Sequence, residues 1–176
     1  INSDLLEFNL SLVEQMRKVC VPTFMTFAED MSYNHGPMIS EQVFQEFIDP
    51  YYRKILSVLK ELDVIIIVDT DGDVTEMVPW LQEVGIDGVL PLERQANVDG
   101  GKLREQYPDL LMVGHYNKLV MNQGEAAMRE EFERLVPLMQ GGGFIPSVDH
   151  QTPPGVSLSQ YRLFLSLLKE YTEEIS

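Results

Sequence analysis

The residues of this sequence that could do chemistry are acids and histidines that follow short apolar runs. The apolar run at residues 64–68 leads into Asp69, Asp71 and Asp73, with one residue between successive acids. Because side chains alternate along a strand, Asp69 and Asp71 share one face if the strand continues that far. Two carboxylates on one face repel each other unless a cation, a proton or a basic partner lies between them. The spacing indicates a metal site or an acid–base centre, with a helix N-cap as the alternative for Asp73.

Three other apolar runs also end in groups that could do chemistry. Glu93, His115 and His150 each follow such a run, and His150 comes directly after Asp149. Imidazoles in strand-end clefts serve as metal ligands or as acid–base groups, and a neighbouring carboxylate can orient them. We therefore expect these three residues to act at a cleft together with Asp71. A salt bridge to Arg94 or to a neighbouring strand is the alternative for Glu93.

Five predicted strands alternate with helices, and most of them run into a polar cluster. The strands are expected near residues 19–28, 64–69, 88–93, 110–115 and 144–150. The helices are expected near residues 4–18, 40–59 with a break at Pro50, 75–84, 100–107, 124–139 and 157–171. This alternation is typical of βαβ units and a parallel sheet, in which ligands bind outside the carboxyl ends of the strands.

The strand-end clusters predict an α/β fold of the (β/α)8 TIM-barrel type. No GxGxxG turn and no GxxxxGK[ST] loop follows a strand, so a dinucleotide or nucleoside triphosphate site has no support. A whole barrel takes about 250 residues, so the chain accounts for roughly the last five βα units. An incomplete barrel leaves two edge strands unpaired, which favours a homodimer.

Length and charge narrow the classes of function further. The 176 residues suit a single domain over residues 1–176, and 28 acids against 13 basic residues give a net charge of −15. That balance argues against nucleic acid and anionic membrane as partners. Cys20 is the only cysteine, so we expect a reducing, cytoplasmic location. No apolar run reaches membrane-spanning length and no signal peptide begins the sequence. Because the sequence begins with Ile1 rather than Met, we expect a processed chain or a fragment.

The sequence also predicts which residues near the first strand are buried and which could line the cleft. Cys20, Phe24 and Phe27 are expected in the core, as small or aromatic apolar side chains usually are. Glu29 and Asp30 end this strand, and they are interpreted either as cleft residues or as caps of the next segment.

The order of these blocks resembles the C-terminal half of the uroporphyrinogen decarboxylase superfamily, which includes tetrapyrrole decarboxylases and zinc-dependent cobamide methyltransferases. The matching stretches span nearly the whole sequence and lie at residues 29–31, 36–40, 47–51, 69–73, 85–93 and 149–154. The resemblance implies a (β/α)8 barrel with its cleft at the C-terminal strand ends.

The resemblance also implies what the strand-end residues do in each branch. Methyltransferases of this superfamily hold zinc with a His-x-Cys-Gly turn and a later Cys, and Asp69-Thr70-Asp71-Gly72 and His150 occupy those positions here. Two carboxylates and an imidazole form a harder site for zinc, iron or manganese. In the decarboxylases, a histidine that His150 resembles lines the substrate cleft. A polycarboxylate substrate requires arginines, and Arg94 is the only arginine close to a strand end, which favours the methyltransferase branch.

The sequence and the resemblance together predict methyl transfer to a small-molecule substrate from a corrinoid or a similar donor. Asp69, Asp71 and His150 would bind a divalent metal acting as a Lewis acid, or would form an acid–base centre, and a corrinoid protein would be a partner. Glu93 and His115 would shape the cleft, with Lys118 as a charge partner of His115. One alternative is tetrapyrrole decarboxylation, in which Asp69 or Asp71 accepts pyrrole N–H groups. The other is a non-catalytic binding or fold-completing fragment.

Overall fold

A parallel sheet of five strands forms the centre of the computed structural model, which describes residues 1–175. The strands are β1 (Phe24–Ala28), β2 (Ser32–Tyr33), β3 (Gly36–Pro37), β4 (Ile65–Asp69), β5 (Gly88–Leu90), β6 (Leu111–Tyr116) and β7 (Phe144–Val148). The sheet has the order β1-β4-β5-β6-β7, while β2 and β3 form a small antiparallel hairpin. Successive strands of the large sheet are neighbours, as expected of consecutive βα units in a barrel.

Helices connect the strands. They are α1 (Asn2–Met16), α2 (Glu41–Phe47), α3 (Asp49–Lys60), α4 (Val78–Val84), α5 (Gly100–Gln106), α6 (Glu125–Gln140) and α7 (Leu158–Ile175). Short 3-10 turns lie at Thr75–Met77, Arg94–Ala96 and Lys118–Val120. No helix in the described part of the chain is long and apolar enough to cross a membrane.

Local sequence signals set several helix boundaries. The Ser40 hydroxyl accepts a hydrogen bond from the Val43 amide at 3.2 Å and caps α2. Pro50 lies in the first turn of α3, where its missing N–H group leaves no bond unmade, and it separates α3 from α2. Gly85 ends α4 with a φ of 103°, a left-handed conformation that favours glycine.

The core lies between the sheet and the helices. Ile66 and Val68 of β4, the second strand of the sheet, have no exposed surface, and Ile67 on the opposite face is 6 % exposed. β4 is therefore buried on both faces, as its apolar run predicted. Each such side chain contributes roughly 1.5–3 kcal/mol by burial. Within the same core, β6, α6 and α7 are joined by stacked, tilted or edge-on rings of Tyr116, Phe132, Phe164 and Tyr171.

The predicted alternation of strands and helices and the parallel sheet are confirmed, and the fold is that of a partial (β/α) barrel. Two predicted core positions are wrong. Cys20 is exposed because β1 begins only at Phe24, and Phe24 itself is 56 % exposed. By strand alternation, Phe24 shares a face of the edge strand β1 with Thr26 and Ala28, and all three residues are exposed.

Candidate active site

A cleft of about 630 Å³ lies at the carboxyl ends of the parallel strands. All five strands of the large sheet, or the residues directly after them, contribute to its lining. Polar atoms come from Asp30, Asp69, Asp71, Ser147, His150 and Gln151, while Leu90, Pro91, Val113 and Val148 supply apolar surface. No lysine or arginine is among the described residues that line it. The cleft is therefore acidic, with a single imidazole.

Asp71 and His150 come into direct contact in this cleft. His150 Nε2 lies 3.2 Å from Asp71 Oδ1, and the two side chains are 34 % and 35 % exposed. At that distance the two groups form an ion pair when the imidazole is protonated, and both side chains remain open to a substrate. Such a pair can take a proton from a reacting group and return it. The sequence predicted that both residues act at one site, and their catalytic role stays a prediction.

Asp69 is the last residue of β4 and lies beside this pair. Burial raises the pKa of Asp69, and the negative charges of Asp71 and Asp30 raise it further, while His150 acts in the opposite direction. A carboxyl group whose pKa is raised in this way retains a proton more readily than a free aspartate. The pKa of Asp69 therefore reflects its place among the acids of this cleft.

Buried hydroxyl groups fix the turn that carries Asp71. Thr70 is 1 % exposed, and its hydroxyl oxygen accepts hydrogen bonds from the amides of Met31 at 3.1 Å and Ser32 at 3.2 Å. The Ser32 hydroxyl in turn donates to the Asp71 carbonyl oxygen at 2.7 Å. The hairpin of β2 and β3 therefore holds the backbone on both sides of the catalytic candidate.

Gly72 completes this turn with a φ of +79°. A Cβ atom at this position would lie 2.3 Å from the Tyr33 carbonyl carbon, so the backbones approach more closely than any side chain permits. The Gly72 amide donates to Glu93 Oε2 at 2.9 Å. The turn is thus fixed by the hairpin on one side and by Glu93 on the other.

Glu93 is a positioning residue behind the cleft, because it is not among the residues that line it. Its other carboxylate oxygen lies 3.1 Å from Lys118 Nζ, and both side chains are 15 % exposed. Lys118 Nζ also lies 3.8 Å from a carboxylate oxygen of Asp149, which has no exposed surface. Lys118 follows β6, the strand next to β5, so the alternative of a salt bridge from Glu93 to a neighbouring strand is confirmed, with Lys118 rather than Arg94 as the partner. The pairing of His115 with Lys118 is wrong, since Lys118 pairs with the two acids.

Asp149 joins this network to the backbone. Its carboxylate accepts hydrogen bonds from the amides of Lys118 at 3.0 Å and Arg94 at 2.9 Å. Burial nevertheless raises the pKa of Asp149, against the effect of these donors and of the Lys118 charge. The carboxylate is therefore occupied by backbone N–H groups, and its hydrogen bonds do not include one to the neighbouring His150 as the sequence suggested.

His115 lies behind the sheet rather than in the cleft. It has no exposed surface, its Nε2 accepts from the Gly100 amide at 3.1 Å, and its Nδ1 donates to the Leu92 carbonyl oxygen at 3.1 Å. Positive φ angles at Gly114 (110°) and His115 (64°) break the alternation that would have turned the ring toward the cleft. The structure therefore does not bring His115 together with the other catalytic candidates.

Because burial lowers the pKa of His115 to about 4 from 6.5, we expect this histidine to make the protein sensitive to acid. As the pH falls below 6.5, the histidine binds a proton in the unfolded chain but not yet in the folded protein, so the free energy of unfolding decreases. This decrease ends once the pH is below the pKa of His115 in the folded protein, and it amounts to at most about 3 kcal/mol. In His115→Gln this contribution is absent, and the free energies of unfolding of the two proteins should converge as the pH falls. Urea unfolding between about pH 7 and about pH 4 measures this.

The control is His35→Gln, which alters an exposed histidine of the β2–β3 turn. This variant should keep the pH profile of the unaltered protein. Parallel profiles of the unaltered protein and His115→Gln would contradict the assignment of the acid sensitivity to His115.

The predicted metal site, with Asp69, Asp71 and His150 as ligands, stays a prediction. Within residues 1–175, no group of three or more His, Cys, Asp or Glu side chains is placed to hold a metal ion. Asp69, Asp71 and His150 share the cleft, but His150 directs its Nε2 atom to Asp71.

Sequence reasoning missed two polar residues of the cleft, Ser147 and Gln151. Ser147 lies in β7 one residue before its end, and Gln151 lies in the loop after it. The signal that could have found them is positional, because the end of a parallel strand and the loop after it face the cleft of a barrel.

The comparisons with known proteins agree with this architecture. A family model of uroporphyrinogen decarboxylase matches residues 15–171, nearly the whole chain. The comparison with curated proteins gives no significant match. Since the family model covers all five strands and the acidic cleft at their ends, the chain belongs to the uroporphyrinogen decarboxylase family.

Proposed function

We propose that the cleft is part of the active site of an enzyme that transfers a methyl group to a small-molecule acceptor. The observation that supports this most directly is the charge of the cleft. Three carboxylates and one imidazole line it, and no lysine or arginine does within the described residues. Such a lining repels anionic substrates and favours neutral or cationic ones. The acidic lining therefore disfavours a substrate with many carboxylates, such as the one that tetrapyrrole decarboxylation requires.

The contact between Asp71 and His150 supplies the acid–base chemistry of the proposed reaction. The acceptor is a thiol or an amine that carries a proton and attacks the methyl carbon. A bond from sulfur or nitrogen to that carbon forms, and the bond from the methyl group to its donor breaks, leaving its electron pair on the donor. The acceptor's proton passes to the Asp71–His150 pair, an assistance worth about 10²–10⁴-fold in rate.

The donor in this proposal is a corrinoid or a similar methyl carrier, delivered as a free compound or by a corrinoid protein. In that scheme Asp69, with its raised pKa, donates a hydrogen bond to the bound acceptor or donor. Asp30 adds negative charge at the same end of the sheet, which supports a cationic or neutral acceptor.

Tetrapyrrole decarboxylation is the second candidate, and the family match favours it. Each carboxylate offers about four lone-pair sites, so Asp69 and Asp71 could accept several pyrrole N–H groups at once. In this reading His150 orients the substrate instead of taking a proton.

One experiment separates the two candidates. The intact protein is incubated with methylcobalamin and a panel of thiols and amines, and the loss of the methyl corrinoid absorbance and the methylated product are measured. A parallel reaction with uroporphyrinogen measures released carbon dioxide. Methylated product that depends on the enzyme supports the proposal. Carbon dioxide release without any methylated product would overturn it in favour of decarboxylation.

A further inference from the structure

A second concave site lies on the helical side of the protein, between α5 and α6. This groove of about 440 Å³ is lined by Arg94, Arg104 and Arg134, which are three of the chain's seven arginines. We refer to it as the arginine groove. None of its lining residues lines the acidic cleft. A groove lined by three arginines is unexpected in a chain with a net charge of −15.

Two of these arginines form no salt bridge in the described part of the chain. Within residues 1–175, neither Arg94 nor Arg104 forms a salt bridge, although acids outnumber basic residues 28 to 13. The Nε atom of each is buried and has no hydrogen-bond acceptor in the described structure. Within the described structure, neither guanidinium charge is therefore neutralised by direct contact with a carboxylate.

The other donors of these arginines fix their positions. Arg94 Nη1 donates to the Val98 carbonyl oxygen at 2.9 Å, and Arg104 Nη2 donates to the Gly142 and Gly143 carbonyl oxygens at 3.0 and 3.2 Å. Arg134 is held by Glu131 and by a bond from Nη2 to the His115 carbonyl oxygen at 2.7 Å. The three guanidinium groups are therefore held in place before any ligand arrives, which lowers the entropic cost of binding.

Two acids also line the groove. Asp99 is half-exposed, accepts a hydrogen bond from the Lys102 amide at 3.1 Å and lies 3.7 Å from Lys102 Nζ. Glu105 is exposed. Their carboxylates repel a second negative charge but accept hydrogen bonds from hydroxyl or amino groups. A ligand that suits the groove combines one anionic group with hydrogen-bond donors.

We propose that the arginine groove binds a small phosphorylated compound. Its phosphate lies against Arg94, Arg104 and Arg134, and its hydroxyl or amino groups face Asp99 and Glu105. Guanidinium groups present planar pairs of N–H donors that match phosphate oxygens. The volume lies in the range of small-molecule sites, about 300–1,000 Å³. The groove is distinct from the methyl-transfer site, although the Arg94 amide bonds to Asp149, next to His150.

Calorimetric titration of the intact protein with O-phosphoserine at low ionic strength tests this proposal. We expect saturable binding that weakens about tenfold or more in Arg94→Gln, because one charge-assisted contact is lost. The matched control Arg17→Gln removes the same charge from an exposed position on α1 and should bind as the unaltered protein does. Serine, which lacks the phosphate, should not bind. Equal losses in the two arginine variants would show non-specific charge attraction and overturn the proposal.

A second pair of variants leaves every arginine in place. Gly101 is exposed and lines the groove, and a Cβ atom there would meet only Asp99 Oδ1, at 3.3 Å. Gly101→Glu adds a negative charge and should abolish binding, whereas the neutral Gly101→Gln of similar size should retain it. Thermal unfolding of each variant checks the fold. Titration with succinate distinguishes the ligand classes, since tighter binding of succinate than of O-phosphoserine would reassign the groove to carboxylates.

Discussion

We expect Asp71→Asn and His150→Gln each to lower kcat/KM of the methyl transfer by about 10²–10⁴-fold, the range that general acid–base catalysis supplies. Both substitutions keep the size of the side chain and remove its ability to exchange a proton. Asp71 Oδ1 and His150 Nε2 lie 3.2 Å apart and act as one unit. The double variant should therefore be no slower than the slower single variant, because the effects of residues that act together are not additive. Steady-state kinetics of the methylated product measure all three proteins.

Asp109→Asn is the matched control for this prediction. It removes a carboxylate from an exposed turn before β6, outside the residues that line the cleft. Its kcat/KM should stay within about twofold of the unaltered protein, as expected of surface substitutions. If Asp71→Asn were as active as Asp109→Asn, the proposed acid–base role of Asp71 would be wrong.

The largest effect on stability is expected from Lys118→Met. This change leaves the carboxylates of Glu93 and Asp149, which are 15 % and 0 % exposed, without their cation. Removing one partner of a buried ion pair costs about 3–5 kcal/mol. Burial already raises the pKa of Asp149, and the loss of Lys118 raises it further. Protonation then relieves the unpaired charge, so the deficit in the free energy of unfolding should shrink as the pH falls.

Chemical denaturation at neutral and at acidic pH measures this change. The control is Lys169→Met, which breaks an ion pair with Glu173 whose side chains are 74 % and 69 % exposed, and it should cost less than about 1 kcal/mol. Glu93→Gln/Lys118→Met also removes the Glu93 charge and leaves only Asp149 without its cation, so it should recover part of the stability that Lys118→Met loses. A cost for Lys118→Met no larger than that of Lys169→Met would contradict the role of the buried network.

The network also links stability to the site. Glu93 holds the Gly72 amide, one residue after Asp71, so disorder in the network displaces the Asp71 turn. We therefore expect Lys118→Met to lower activity even where the protein remains folded.

The sequence alone determined the elements that carry the chemistry. Apolar runs that end in acids or histidines predicted the parallel strands, and the central run of β4 predicted its burial on both faces. Strand-end position also predicted that Asp69, Asp71 and His150 would meet in one cleft, which the structure shows. Position along a strand predicts this much because parallel strands expose their carboxyl ends at the same edge of the sheet.

Only the tertiary structure decided where the other strand-end groups point. Two consecutive positive φ angles, at Gly114 and His115, turn the His115 ring into the helical layer. Lys118 is distant in sequence from Glu93 and Asp149, and it pairs with both acids in a buried network behind the cleft. The same packing brings arginines from a 3-10 turn, α5 and α6 together in one groove. Side-chain type and spacing do not specify such contacts, because they depend on which backbone groups and counter-charges packing brings within hydrogen-bond distance.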